Sequence, residues 1–232
     1  MLSLLSRYAV ASSLGKLTVG RCRLARRMAT ESFRVEQERG RYAPHVRAIN
    51  EMVDGLQDQE GRGWLPHVAP WQGGVEARVL SVLRDPGPMV REGTGSGFLC
   101  IENDDPTAER QTEAFAAVGL TAQDMTPWNA YPWYINRAPN ASELEAGVEP
   151  LVRLIALMPR LRVLLLQGAQ ARDSWRRVLK RYPGITDGER YTVVSTHHPG
   201  RQALWHRDPL VRAARQQHRD DACQRVADVL TG

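Results

Sequence analysis

The chain has 232 residues, 42% of them hydrophobic, with a formal net charge of +5. That length suits one α/β domain with an extension, and no stretch approaches the ~20 apolar residues that span a bilayer, so a soluble protein with no membrane partner is expected. The charge is uneven: residues 1–30 carry Arg7, Lys16, Arg21, Arg23, Arg26 and Arg27 and no acid, leaving 25 basic and 26 acidic side chains for the rest.

In chain order, residues 1–30 read as a leader without fixed structure. It is either an organelle transit peptide or an over-extended start preceding Met28. With 29 Arg and two Lys in the whole chain, the bias of a GC-rich bacterial genome favours the second, hence a cytoplasmic protein, or a mitochondrial one if the leader is genuine. Residues 31–74 form an N-terminal unit. Val35, Tyr42, Val46, Ile49, Met52, Val53 and Leu56 recur at helical spacing over 31–57, predicting one helix, and a Gly/Pro/Trp-rich connector follows at 61–74.

The main domain is expected over 75–232. RVLSVL at 78–83 is its first strand, GTGSG a loop, and DDPT the start of a helix to about Val118, with Asp104 or Asp105 as cap and Pro106 in the first turn. A second strand ends at Asn129. Ser142 and Glu145 suggest a capping box for a helix that Pro150 should kink. RVLLLQG at 162–168 is the third strand, Ala169 to Arg181 a helix, YTVVST at 191–196 the fourth strand, and Asp208-Pro209 opens a final helix toward Leu230. Strands alternating with helices predict a three-layer α/β/α fold around a central four-stranded parallel sheet.

Cys22, Cys100 and Cys223 are isolated. They make no CxxC pair, iron-sulfur set or disulfide framework, which fits a reducing compartment and predicts no metal or other cofactor. Residues 172–219 carry ten Arg and one Lys against Asp173, Asp187, Glu189 and Asp208. Such a local excess suits a phosphate-binding face, with solvated helix surfaces as the plain alternative.

Each strand closes on a polar signal: RDPGP, WNAYPWY, QGAQA and HHPGR. Because the ends of parallel strands face one crevice, Asp85, Asn129, Gln167 and His198 are expected to converge. Plainer roles compete: Asp85 as a turn residue, Phe98 as core, Asn129 as a loop cap. The His197–His198 pair and the cluster Glu102, Asp104, Asp105 are weak metal candidates, since adjacent residues diverge and the acids already start a helix. Trp128, Tyr131, Trp133 and Tyr134 fit either a base-stacking platform or a lid over core.

Over roughly 78–215 the chain resembles the uracil-DNA glycosylase superfamily. LRDPGP at 83–88 looks like its first motif, Phe98 follows Asp85 at the family's thirteen-residue separation, WNA at 128–130 resembles its base-reading Asn, VLLLQGAQA its third strand and HHPGR its closing His-Pro loop. NRAPNASELEAGVEPL at 136–151 is similar to a stretch of the bacterial iron-sulfur branch, whose four cysteines are absent, so the chain would be a divergent bacterial member without a cluster.

The resemblance implies Asp85 and His198 as catalytic residues. Asp85 would position water and stabilise a cationic sugar, and neutral His198 would donate to the departing base. Phe98 would stack on the base, Asn129 would read its O4/N3 edge, and Gly87 would stand where a Tyr usually excludes the thymine methyl. Arg201 or Gln202 would enter the duplex once the base is flipped. Arg84 stands where the family usually has Gln or another small polar residue, and the resemblance assigns it no role. The expected function is hydrolysis of the N-glycosidic bond of uracil or a related deaminated base in DNA by a monomer. The alternatives are a non-catalytic nucleic-acid or nucleotide binding protein of the same fold, and a hydrolase of free nucleosides or nucleotides.

Overall fold

The computed structural model describes residues 25–186 and 191–232. Most of the leader, and Asp187, Glu189 and Arg190 of the basic segment, lie outside the described residues.

Four strands form the main sheet: β2 (Val79–Leu83), β4 (Met125–Asn129), β5 (Val163–Gln167) and β6 (Thr192–Thr196). They pair in parallel in the order β4-β2-β5-β6. Parallel strands covered on both faces read as unbroken apolar runs, and Val79, Leu80, Val82 and Val163 to Leu166 are buried accordingly. Two buried hydroxyls within the strands are satisfied. Ser81 Oγ accepts from Gln111 and Gln167, and the Thr126 hydroxyl donates to Gly74 O at 2.7 Å.

Helices cover both faces. On one, Leu80, Val82, Leu164 and Leu166 meet Val46, Ile49 and Val53 of α2 (Pro44–Asp54), Leu151 and Leu154 of α5 (Val148–Ala156), and Trp175 and Val178 of α6 (Ala169–Arg181). On the other, Val79, Val163, Leu165 and Val194 meet Phe115 of α3 (Pro106–Ala116) and Cys223, Val226 and Leu230 of α8 (Pro209–Thr231). No helix of the described residues is long and apolar enough to cross a membrane.

Several expectations need correction. The helix expected over 31–57 is two, α1 (Glu31–Arg39) and α2, because the chain turns at Gly40 and restarts at Pro44, whose fixed φ suits a first turn. The unit at 31–74 has no core of its own, since Val46 to Leu56, Leu65 and Val68 share the cluster of the main sheet. A two-residue parallel pair, β1 (His67–Val68) with β3 (Phe98–Leu99), adds a second small sheet. The leader's last residues are built in: Met28 is buried beside Phe33 and Phe98, its N–H donates to Glu102 O at 3.0 Å, and Arg27 lies over the rings of Phe33 and Trp71.

The capping box at 140–146 is Asn140 with Glu143, not Ser142 with Glu145. Asn140 Oδ1 accepts from the Glu143 N–H and Glu143 Oε2 from the Asn140 N–H. The helix expected to kink at Pro150 is split at Gly147 into α4 (Ala141–Ala146) and α5, with Pro150 in the first turn of α5. Asp105 caps α3, accepting from the N–H groups of Thr107 and Ala108 at 2.7 and 2.9 Å.

Candidate active site

After β2 the chain crosses to β4 on one side and later to β5 on the other, so a crevice opens beyond the carboxyl ends of these strands. A cleft of about 940 Å³ lies there, lined by Asp85, Gly87, Asn129, His198, Arg201 and Gln202 among others. Residues separated by more than a hundred positions thus share one cavity.

Asp85 follows β2 directly, and only 3% of its side chain is exposed. Arg84 Nε donates to its Oδ1, and the Arg137 backbone amide also bonds the carboxylate. Burial pushes the Asp85 carboxyl above the ordinary range, and the two arginines oppose that shift. Asn136 takes a left-handed φ of 51°, which turns the main chain so that the next amide faces Asp85. Arg137 is itself held by two bonds to Glu143, the acid of the capping box. Neither Arg84 nor the Arg137 amide received a role from sequence. An arginine beside an aspartate in RDP was the available signal for the first; a backbone donor leaves none.

His198 follows β6. Its Nδ1 accepts the Gly200 N–H at 2.9 Å, so the neutral ring carries its proton on Nε2. Burial, helped by the nearby Arg84 cation, lowers its pKa to about 4, and the imidazole is neutral at physiological pH. Two glycines permit this placement. A Cβ on Gly200 would sit 2.9 Å from Nδ1, and Gly168, at φ 104° after β5, would bring one to 3.3 Å from the His198 Cβ. His197 packs edge-on against His218 with ring centroids 5.1 Å apart, and burial, with His218, Arg215 and Arg172 nearby, lowers its pKa also.

Asn129, the last residue of β4, is 3% exposed, and its Nδ2 is buried with no hydrogen-bond partner among the described residues. A buried donor left unpaired costs about 1–3 kcal/mol, so the fold keeps this amide beside the cleft at a cost. Gly87 has open space around it, with nothing within 4 Å of a Cβ built there. Arg201 and Gln202 stand exposed at the rim, at the start of the four-residue helix α7 (Arg201–Leu204).

Two expected members do not reach the cleft. Phe98 is 1% exposed and packs with Met28, Phe33, Ala69 and Cys100, while the next residue, Leu99, lines the cavity. Strand side chains alternate, so a stacking role fails for Phe98. Gln167 is likewise buried, its Nε2 donating to Ser81 Oγ at 2.8 Å. The acidic cluster is engaged elsewhere: Glu102 accepts from Trp71 Nε1, Asp104 pairs with Arg26, and Asp105 caps α3. Trp128, Tyr131 and Trp133 belong to the core, Trp133 Nε1 donating to Leu56 O, while Trp128 also lines the cleft. The basic segment divides. On α6, Arg176 and Arg177 pair with Asp173 and Arg181 with Glu145, whereas Arg172 and Arg201 line the cleft without an acidic partner among the described residues.

No protein-family model matches the chain, and no curated protein matches it.

Proposed function

We propose that the cleft hydrolyses the N-glycosidic bond of uracil or a related deaminated base in DNA, and that the chain is a divergent, cluster-free relative of the uracil-DNA glycosylases. The observation that carries this reading is the meeting of a buried carboxylate, Asp85, and a part-buried neutral imidazole, His198, in one cavity. Breaking the C1′–N bond sends its electron pair into the base and leaves positive charge on the sugar. The Asp85 carboxylate stabilises that charge and orients a water, whose hydroxyl adds to C1′ while its proton ends on the base anion, which departs neutral. His198 Nε2–H donates to the oxygen where the base anion develops, a task for which an imidazole that stays neutral is suited. The free Asn129 amide reads the base edge by offering a donor and an acceptor. Apolar walls at Val90, Leu99 and Ile101 enclose the base in place of Phe98, and Arg172 and Arg201 face the phosphates.

One observation favours a second reading. Arg84 already occupies Asp85 Oδ1, and an ion-paired carboxylate is a weaker base, as suits a protein that binds without turnover. Uracil release from single- and double-stranded oligonucleotides, with a binding titration beside it, separates the two. Free uracil and an alkali-labile abasic strand are expected. Tight binding without release favours the binding protein, and neither binding nor release rejects both.

A further inference from the structure

We propose that Arg84 is the phosphate-reading residue of the cleft, holding Asp85 through Nε and a phosphate on the same nucleotide through its Nη fork. The site then selects a phosphate-bearing deoxynucleotide over the free nucleoside. This rests on the glycosidic reading, which puts the sugar beside Asp85.

The ion pair is lopsided: the Arg84 side chain is 41% exposed and its partner 3%. The guanidinium therefore bridges the buried carboxylate and the open cavity that both residues line. Nε is committed to Asp85, while Nη1 and Nη2 have no hydrogen-bond partner among the described residues. Of the other arginines lining the cleft, Arg172 and Arg110 are tied to main-chain oxygens, Thr196 O and Pro106 O, and Arg201 stands exposed at the rim. A guanidinium has five N–H donors and no acceptor, and its planar fork fits two oxygens of one phosphate. With C1′ of a sugar at Asp85, a side chain one residue away that reaches past the ring meets the phosphate on O5′ or O3′. The same cation also opposes the rise that burial gives the Asp85 carboxyl and adds to the fall that burial gives the His198 imidazole, so one residue would align the substrate and tune both groups.

The test is a calorimetric comparison of deoxyuridine with its 5′- and 3′-monophosphates on the full chain, for wild type, Arg84→Gln and Arg84→Lys. Wild type should bind one monophosphate at least about tenfold more tightly than the nucleoside, the range for a charge-assisted contact. Arg84→Gln should bring that ratio to within about twofold, and Arg84→Lys, which keeps the charge without the fork, should retain part of it. Thermal melts identify a variant that has lost its fold, in which case the lysine variant decides. A ratio preserved in Arg84→Gln, or no preference in wild type, overturns the assignment. If wild type releases uracil from an oligonucleotide yet shows no phosphate preference, this inference alone falls. If it releases no base and binds none of the three ligands, the glycosidic reading falls with it.

Discussion

The ends of β4 and β5 flank the same strand, and each carries a carboxamide, yet the two are used in opposite ways. Gln167 on β5 donates its Nε2 to Ser81 Oγ at 2.8 Å, and Gln111 reaches the same oxygen at 2.9 Å, so three buried polar groups satisfy one another beneath the sheet edge. Asn129 on β4 is as buried, but its Nδ2 meets nothing among the described residues. A polar residue at the end of a parallel strand is thus no sign of a site by itself. What separates a structural amide from a binding amide is whether the fold supplies its partner.

That division sorts the whole cleft, and Asp85 is its sharpest test. Asp85→Asn should lower the single-turnover rate of base release by about 10³-fold while affinity for uracil-containing DNA holds. Because burial raises the Asp85 pKa, its ionised form costs the fold stability, so the variant should also melt at a higher temperature. Unchanged release, or a lower melting point with lost binding, would move Asp85 to the structural side with Gln167.

His198→Ala should cost about 3 kcal/mol of transition-state stabilisation, roughly a hundredfold in rate, the range for one lost anion-stabilising donor. His197→Ala should act mainly on stability, and the reverse ranking would exchange their roles. The folded pKa of His198, about 4, lies below its ordinary value of 6.5, so the unfolded chain takes up the proton first. The contribution of His198 to stability is therefore complete above about pH 6.5 and lost progressively as pH falls from there toward 4. Urea melts at pH 7 and pH 5 should show a larger loss for wild type than for His198→Ala.

The carboxamides themselves give the direct contrast. Gln167→Ala removes one donor from Ser81 and should destabilise by about 1–3 kcal/mol, with base release in the remaining folded protein little changed. Asn129→Ala removes an amide whose Nδ2 bonds nothing among the described residues. It should leave the melting point within a few degrees of wild type and weaken release of uracil about 10- to 100-fold. Equal effects on both measurements in both variants would end the distinction.

Much of this arrangement is legible in the chain. β2 and β5 are almost wholly apolar runs, α6 spans the expected residues, and Asp105-Pro106 and Asp208-Pro209 open α3 and α8 as their capping chemistry requires. The failures have physical reasons. Strands of two residues have no period to detect, so the β1–β3 pair was hidden, and with it the fact that Leu99 rather than Phe98 faces the cavity. A thirteen-residue separation from Asp85 fixes a distance along the chain and not a side of a strand. Gln167 could not be told from Asn129 because its partners, Ser81 and Gln111, lie 86 and 56 positions away and join it only in the folded sheet. Met28 belonged to a segment that composition set apart, yet it fills the small core beside Phe98.

The smallest expected effect comes from a position where the fold asks for nothing. Gly87 lines the cleft with a φ of −76°, open to any residue, and no atom lies within 4 Å of a Cβ built there. Gly87→Tyr should therefore fold normally, its ring entering the cavity rather than the core. If that space lies beside C5 of the bound base, release of uracil should change by no more than a few fold, while release of 5-substituted uracils should fall further, in proportion to the bulk added at C5. Rates on uracil and on two 5-alkyl uracils of increasing size, measured in the same duplex for both proteins, decide the matter. A parallel loss on all three bases would mean that the tyrosine merely blocks entry, and a gain or no change would place the base elsewhere in the cleft, away from Gly87.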